Sequence, residues 1–473
     1  MKNSDNLGKE PIGRLLVQQA LPASIGILIM SIYGVVDTIF VGQYVGPLAI
    51  AAITVVMPIT FLISSIGMAI GVGGSSMISR ALGADDERKA CHTFGNMVLL
   101  TAGLALFMIV LGTFLEEALL SLFGGKGEIL EPAREYFTVL LPSIPFLAFA
   151  MMSNAVIRAE GAPKVAMMVF IVPAVLNLIL DPIFIVVLDW GLFGAALATT
   201  LGYVSSALFA IWFFLSGRSD LTIRRDSLRL EWPLIKEMFS IGSVTLARQG
   251  AISVLSIVLN NALFRYGAET AVTVYGMITR VLMVSNVPVM GLIQGFLPIV
   301  GYNYGARHPD RVKQTIRLSV GSGTAIALLL FGLVMIFPHP MLAIFTDQAD
   351  LVDAAADALR IVYLATPLLS VQLLGSAFYQ AIGKARPALL LALTKQGFAL
   401  VPLLLVLPTW FGLDGVWWSF PIADCIAAIL SGAFLWRELR GQPMAELPLN
   451  STTSPPDRLV SAESHSAADS PSG

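Results

Sequence analysis

Ser79-Arg80-Ala81-Leu82-Gly83-Ala84 is answered 222 positions later by Gly301-Tyr302-Asn303-Tyr304-Gly305-Ala306, with the Gly-Ala pair in register. Outward from that pair, the same offset carries Gly73 onto Gly295, Pro145 onto Pro367, Ala159 onto Ala381 and Gly161 onto Gly383. The correspondence runs from positions 44–161 onto 266–383. With one residue removed it continues, Gly191-Leu192 falling on Gly412-Leu413 and Gly194 on Gly415. A unit of this length is far longer than a solenoid repeat. The chain therefore consists of two homologous halves, both strongly apolar. Such duplications mark membrane transporters in which one half rocks against the other.

Composition agrees with that class. The chain is 56% apolar and 13% charged, where a soluble chain carries about 25% charged residues. Its mean hydropathy is +0.79. Cys91 and Cys425 are its only cysteines, too few and too scattered for a disulfide framework or a zinc site. The polar start is followed by an apolar run too long for a cleavable signal.

Twelve segments reach the roughly 20 apolar residues that a bilayer crossing takes. They lie near 15–41, 48–78, 92–115, 134–157, 164–187, 193–215, 238–263, 270–300, 314–337, 353–381, 387–408 and 415–436. The expected fold is all-α and integral to the membrane, with two homologous six-helix bundles. The organisation reads as a segment 1–14, a bundle 15–217, a basic linker 218–237, a second bundle 238–437 and a disordered tail 438–473. Six spans per half is an even number, so both halves share one orientation. Arg80, Arg88, Lys89, Arg158, Lys164, Arg218, Arg224, Arg225, Arg229 and Lys236 fall in alternate loops, and Arg307, Arg311, Lys313, Arg317, Lys384 and Arg386 repeat the pattern. The opposite loops hold only Lys126, Arg134 and Arg265. The excess of basic residues on one side predicts a cytoplasmic-membrane protein with both termini in the cytoplasm. Pro22, Pro58, Pro142, Pro145, Pro173, Pro182, Pro367 and Pro402 sit inside apolar spans, which predicts bendable helices around a cavity.

An acid inside an apolar span costs about 2.5–3.5 kcal/mol on insertion scales. Asp37 stands near the outer end of the first span and Asp181 in the fifth, where Asn177 shares its helix face four residues earlier. Pro182 cannot donate to the Leu178 carbonyl, and Thr199 lies among small residues of span six. If these helices face one another, every ligand is oxygen, which suits a hard cation or shared protons. In the second half Asp37 corresponds to Leu259, Asn177 to Phe398, Asp181 to Pro402 and Thr199 to Phe420. The acids are thus not needed to build the six-helix unit, and a coupling site is expected in the N-terminal half alone.

With these residues in place, the chain resembles the multidrug and toxic compound extrusion (MATE) family over roughly residues 12–440. The resemblance rests on Val36-Asp37-Thr38-Ile39-Phe40-Val41-Gly42, on residues 79–84, on Asn177 to Asp181, and on Pro298-Ile299-Val300-Gly301-Tyr302-Asn303-Tyr304-Gly305-Ala306. It implies two bundles in a V around a central cavity, exporting amphipathic and often cationic compounds against H+ or Na+. In one branch of the family the cation site maps onto Asp37, Asn177, Asp181 and Thr199, with a span-four tyrosine mapping onto Tyr136. Na+, if it is the coupling ion, would sit at the first four. Another branch uses acids in spans seven and ten. Here those spans carry Arg248 and Gln249, and Gln372, Tyr379 and Gln380.

Candidate cavity residues are Met30, Met57, Met68, Met151, Met283 and Met290, since methionine surfaces adapt to varied apolar ligands. Arg248, Gln249, Arg280, Gln372 and Tyr379 join them from the second half. Arg248, Arg280, Lys395 and Asp424 are charges in or near spans, and Asp424 is expected to neutralise one of the cations. No organic cofactor, nucleic-acid partner or enzymatic constellation is expected; His92, His308, His339 and His465 all lie in loops, at span ends or in the tail. The partners implied are small organic substrates and the bilayer, with the chain a monomer. The competing readings are a flippase or exporter of a lipid-linked sugar or a specific metabolite, and a passive channel.

Overall fold

The computed structural model describes residues 3–222 and 226–440, and among these the chain is helical without a strand. Of the tail expected over 438–473, residues 441–473 lie outside the described residues, as do Arg224 and Arg225 of the linker, whereas 438–440 continue the last helix and Glu438 pairs with Lys384. Ten helices are long and apolar enough to cross a membrane. Spans one to six are Ile12–Tyr44, Pro47–Gly83, Glu87–Phe114, Gly127–Ala159, Pro163–Val187 and Gly191–Leu215. Trp232–Gly305 turns back at Ala268 and forms spans seven and eight. Pro309–Ile336 and Ala349–Ala381 are spans nine and ten, and Ala385–Arg440 turns at Gly412 to make eleven and twelve. The chain is therefore a multi-pass membrane protein of twelve helices in two bundles.

The duplication persists in the turns more faithfully than in the side chains. Gly161 and Gly383 adopt φ +81° and +80°, Gly191 and Gly412 +52° and +58°, and Asp85 and Arg307 +59° and +57°. At the tip between spans one and two Gly46 adopts φ 117°, whereas its counterpart between spans seven and eight is Ala268, at φ 53° and ψ −155°. A side chain at that backbone position costs about 1–3 kcal/mol. Ala268→Gly should therefore raise the thermal midpoint of the purified protein by several degrees. A differential scan in detergent that finds no gain would mean that the tip relaxes without strain.

The bundles meet along a seam of small residues at the end that carries Asn3 and Arg440. A Cβ at Gly83 would lie 2.0 Å from the Tyr302 carbonyl oxygen, and one at Gly305 would lie 2.0 Å from that of Arg80. About four turns further into the seam the pattern recurs. A Cβ at Gly242 would lie 2.5 Å from the Ala69 carbonyl oxygen, and one at Gly291 would lie 2.8 Å from that of Ala20. Each contact is the image of the other under the 222-residue offset, so the seam is pseudo-isologous. Ser76 on span two reinforces it by donating to the Gln380 carbonyl at 2.6 Å. Away from the seam the bundles diverge: along span one the buried positions run from Ile12 to Gly26 and resume only at Val41.

The segment expected to be a simple lead-in, 1–14, contains a short helix, Asp5–Lys9, that straps the two bundles together. Asp220 of the linker accepts from the backbone N–H of Asn3 and Ser4 at 3.1 and 2.9 Å. Arg311 of span nine donates to the carbonyls of Leu7 and Glu10 at 3.1 and 2.7 Å. Beneath the strap Glu160 is fully buried and accepts from the Ser219 hydroxyl and the Asp220 N–H. Burial pushes its carboxyl up to about 8, while those two hydrogen bonds pull it the other way.

The prolines divide into two groups. Spans one, two and five continue as helix through Pro22, Pro58 and Pro173. Pro142 instead lies in a 3₁₀ turn that breaks span four, and Pro182 opens a π-helical turn, Pro182–Val187.

Candidate functional site

The missing N–H of Pro182 changes the helix immediately after Asp181, because the carbonyl one turn back has no normal partner. The π turn that follows re-aims the last part of span five, a distortion found often at functional sites. Asp181 and Asn177 point from this span into the first bundle, 2% and 1% exposed. The Asn177 amide is oriented by its neighbours: its nitrogen donates to Asp181 Oδ2 at 2.5 Å, and its oxygen accepts from the Thr199 backbone N–H at 3.2 Å. Span one brings Asp37 to the same place, about two turns before its outer end. The Asp37 and Asp181 carboxyls lie within hydrogen-bonding reach of one another. Asp37 itself is half-buried, so the pair has one member in the protein interior and one nearer its surface.

Spans four and six complete the group. Thr200 of span six donates to the Val139 carbonyl of span four at 3.0 Å, fixing the two helices side by side. Tyr136 and Tyr33 both lie beside Thr199. Even so, Asp37 Oδ1, Asp181 Oδ1 and Thr199 Oγ1 are all buried with no hydrogen-bond partner. Three orphaned oxygens at one place are uncommon in a folded interior, where such groups are nearly always satisfied. The donor set contains only oxygen and carries two carboxyls, which fits a proton shared between the acids or a hard monovalent cation among them. Among the described residues no group of three His, Cys, Asp or Glu side chains is arranged for a metal ion.

All five residues expected at the cation site therefore come together, and two more join them. Tyr33 and Tyr203 both lie near Asp37. The signal for them was present in the spacing. Tyr33 precedes Asp37 by four residues and Tyr203 follows Thr199 by four, so each shares a helix face with a residue already selected. Just inside the acids is a cavity of about 30 Å³, with Met30, Tyr33, Met151, Thr199, Tyr203 and Ser206 in its wall. That is room for about two water molecules.

The other expected cavity residues scatter. Met57, Met68, Met283 and Met290 are exposed. Arg248 is half-buried and Gln249 is exposed on span seven. Arg280 stacks over Phe345 at 5.6 Å beside a cavity of about 420 Å³ that Thr346 and Gln348 also line. Gln372 and Tyr379 are buried inside the second bundle, where Ser431 donates to the Gln372 carbonyl and the Tyr379 hydroxyl donates to that of Phe434. Neither is open to the space between the bundles. Lys395 and Asp424 form an ion pair at 2.5 Å, the neutralisation expected for Asp424.

A family model, MatE, matches the chain twice, at residues 22–183 and again at 247–404. The chain belongs to the MatE family. The two matches fall one in each half and cover the first five spans of each bundle, so the MatE unit recurs with the duplication. Among curated relatives, the "Multidrug export protein MepA" of Staphylococcus aureus (strain MSSA476) is 30% identical over 423 residues, covering 89% of this chain and 93% of that one. Among solved structures, a MATE protein in the bent conformation superposes with a TM-score of 0.87 at 27% identity, covering 93% of this chain and 97% of the other. Another, described as the outward-facing conformation of a multidrug resistance MATE family transporter of the MOP superfamily, gives 0.85 at 27% identity over 92% and 97%. In this MatE chain the small-residue seam joins the bundles at one end, and span one loses its buried positions beyond Gly26 until Val41.

Proposed function

We propose that the chain is a secondary antiporter of the cytoplasmic membrane, both termini inside, that exports amphipathic and often cationic organic compounds in exchange for H+ or Na+. The observation that carries this reading is the group of orphaned oxygens on Asp37, Asp181 and Thr199, present in one half of a duplicated chain and replaced by Leu259, Pro402 and Phe420 in the other. A site that the fold does not need is there for what it binds. The names of the relatives, multidrug export proteins among them, support the substrate class.

Asp37 lies nearer the surface, so the ion arrives there first and then bridges to Asp181. Filling the orphaned positions draws span one toward spans five and six. That narrows the gap between the bundles and expels the substrate held there. The ion is the energy source, with no organic cofactor and no covalent step.

The test is uptake of a cationic fluorescent dye into inside-out proteoliposomes under an imposed H+ or Na+ gradient. Accumulation above the external concentration under one of the two gradients is the expected result, and it names the ion. Dye that only equilibrates would make the protein a passive channel. No uptake under either gradient would favour a narrow metabolite or a lipid-linked sugar instead.

A further inference from the structure

One buried charge takes no part in this scheme. Arg158, in the last turn of span four, is 6% exposed and has no carboxylate partner among the described residues. Its guanidinium donates to the side-chain oxygen of Asn154 one turn back, and the Asn154 amide nitrogen donates to the Ala166 carbonyl at 2.6 Å. The carbonyls at the end of span four offset part of the charge. Arg158 also lines a small, partly open space of about 20 Å³ in the seam between the bundles.

The polar wall of that space is built of donors. Ser75, Ser76 and Ser79 come from span two and Gln294 from span eight. The Ser76 and Ser75 hydroxyls are committed to the carbonyls of Gln380 and Val72. The Ser79 hydroxyl and the Gln294 amide make no hydrogen bond among the described residues, so both remain free to donate. A buried guanidinium, a free hydroxyl and a free amide thus line a space the size of one or two waters, with no carboxylate among the described residues that line it. An unpaired buried charge is among the most unfavourable features a fold can carry. Water would satisfy the hydrogen bonds and leave the charge.

We infer that this space is a binding site for a small monovalent anion, with chloride the best-fitting species. The anion neutralises Arg158 and takes hydrogen bonds from Ser79 of the first bundle and Gln294 of the second. Because its ligands come from both bundles, it binds the closed seam and loses Gln294 once the seam parts. A ligand that prefers one state shifts the population toward it, so chloride stabilises the conformation described here.

The test is made on the purified full chain at constant ionic strength, with sodium chloride exchanged stepwise for sodium gluconate, an anion too large for the space. The thermal midpoint should rise by several degrees in chloride, saturably. That rise should vanish in Arg158→Gln and shrink in Gln294→Ala and Ser79→Ala, which keep the charge and serve if the arginine variant does not fold. Crystals grown in bromide should show an anomalous peak between Arg158 and Gln294. Equal midpoints in the two salts together with the absence of that peak would overturn the inference and leave a water site.

Discussion

Asp37→Asn and Asp181→Asn should each reduce uphill dye accumulation to the passive level while leaving the protein folded and able to bind dye. Asparagine keeps the size and the polar oxygen of aspartate but cannot ionise. It therefore removes the exchange between proton or cation and carboxylate without opening a hole. The magnitude follows from the driving force. A one-for-one exchange of a cationic dye for H+ or Na+ moves no net charge, so the ion gradient itself drives it. At about 1.4 kcal/mol per factor of ten, a ten-fold ion gradient sustains a dye gradient of about ten-fold. An uncoupled variant should fall from that ratio to unity, a loss too large to confuse with reduced expression. Asp181 is 2% exposed and bonded to Asn177, so its variant should also show a lower thermal midpoint, whereas the half-buried Asp37 should not. Dye exchange without a gradient, measured beside the uphill assay, separates uncoupling from misfolding. A double variant that still concentrates dye would remove these acids from the mechanism.

The second large effect is expected at the seam. Gly83→Val and Gly305→Val each place a Cβ where a carbonyl oxygen of the opposite bundle lies 2.0 Å away, a full ångström inside any contact that real Cβ atoms make. The obstacle is backbone, so no rotamer change relieves it, and one bundle must move off the other. Overpacking of this kind typically costs about 1–3 kcal/mol and occasionally more. At 3 kcal/mol the closed-seam population falls by more than a hundred-fold relative to alternatives in which the seam has parted. Spin labels on either side of the seam should report a longer distance in both variants, and transport should slow at least ten-fold because one half of the cycle is disfavoured. Gly103 is the control. A Cβ there meets nothing within 4 Å, so Gly103→Val should leave both distance and transport unchanged.

Most of the fold could be read from the residues, because a bilayer makes span length, loop charge and internal repeats nearly sufficient. The turn between spans seven and eight was harder. A gap was expected at 264–269, but the helix runs to Ala268 and reverses there on a single residue, in a conformation that only its counterpart Gly46 foreshadows. The strap at the start of the chain was also hidden. Its sequence is polar and short, and what holds it are Asp220, Asn303 and Arg311, more than 200 residues away.

At the candidate site, acids were easy to find because an acid in an apolar span needs a reason to be there. Tyr33 and Tyr203 escaped because tyrosine in a span is unremarkable until its i+4 neighbour is known to matter. Gln372 and Tyr379 were chosen by position on span ten, and a span buried on most sides gives no periodic signal to say which way each residue faces.

The reciprocal contacts of the seam carry a consequence about origins. Gly83 rests on Tyr302, the image of Arg80, while Gly305, the image of Gly83, rests on Arg80; Gly242 on Ala69 answers Gly291 on Ala20 in the same way. Such mutual pairing is what a two-fold axis imposes on a pair of identical subunits. The chain is built as a fused homodimer would be, with the seam as its old subunit interface. In an unfused pair every substitution appears twice, and an acid near the rim of one subunit is matched by another across the axis. Once the two copies share a chain, residues on the axis remain bound to each other's geometry, while those away from it drift apart. Division of labour between the halves, with Asp37 lining the candidate site in one and Leu259 packed in the other, is a freedom that a pair of identical subunits lacks.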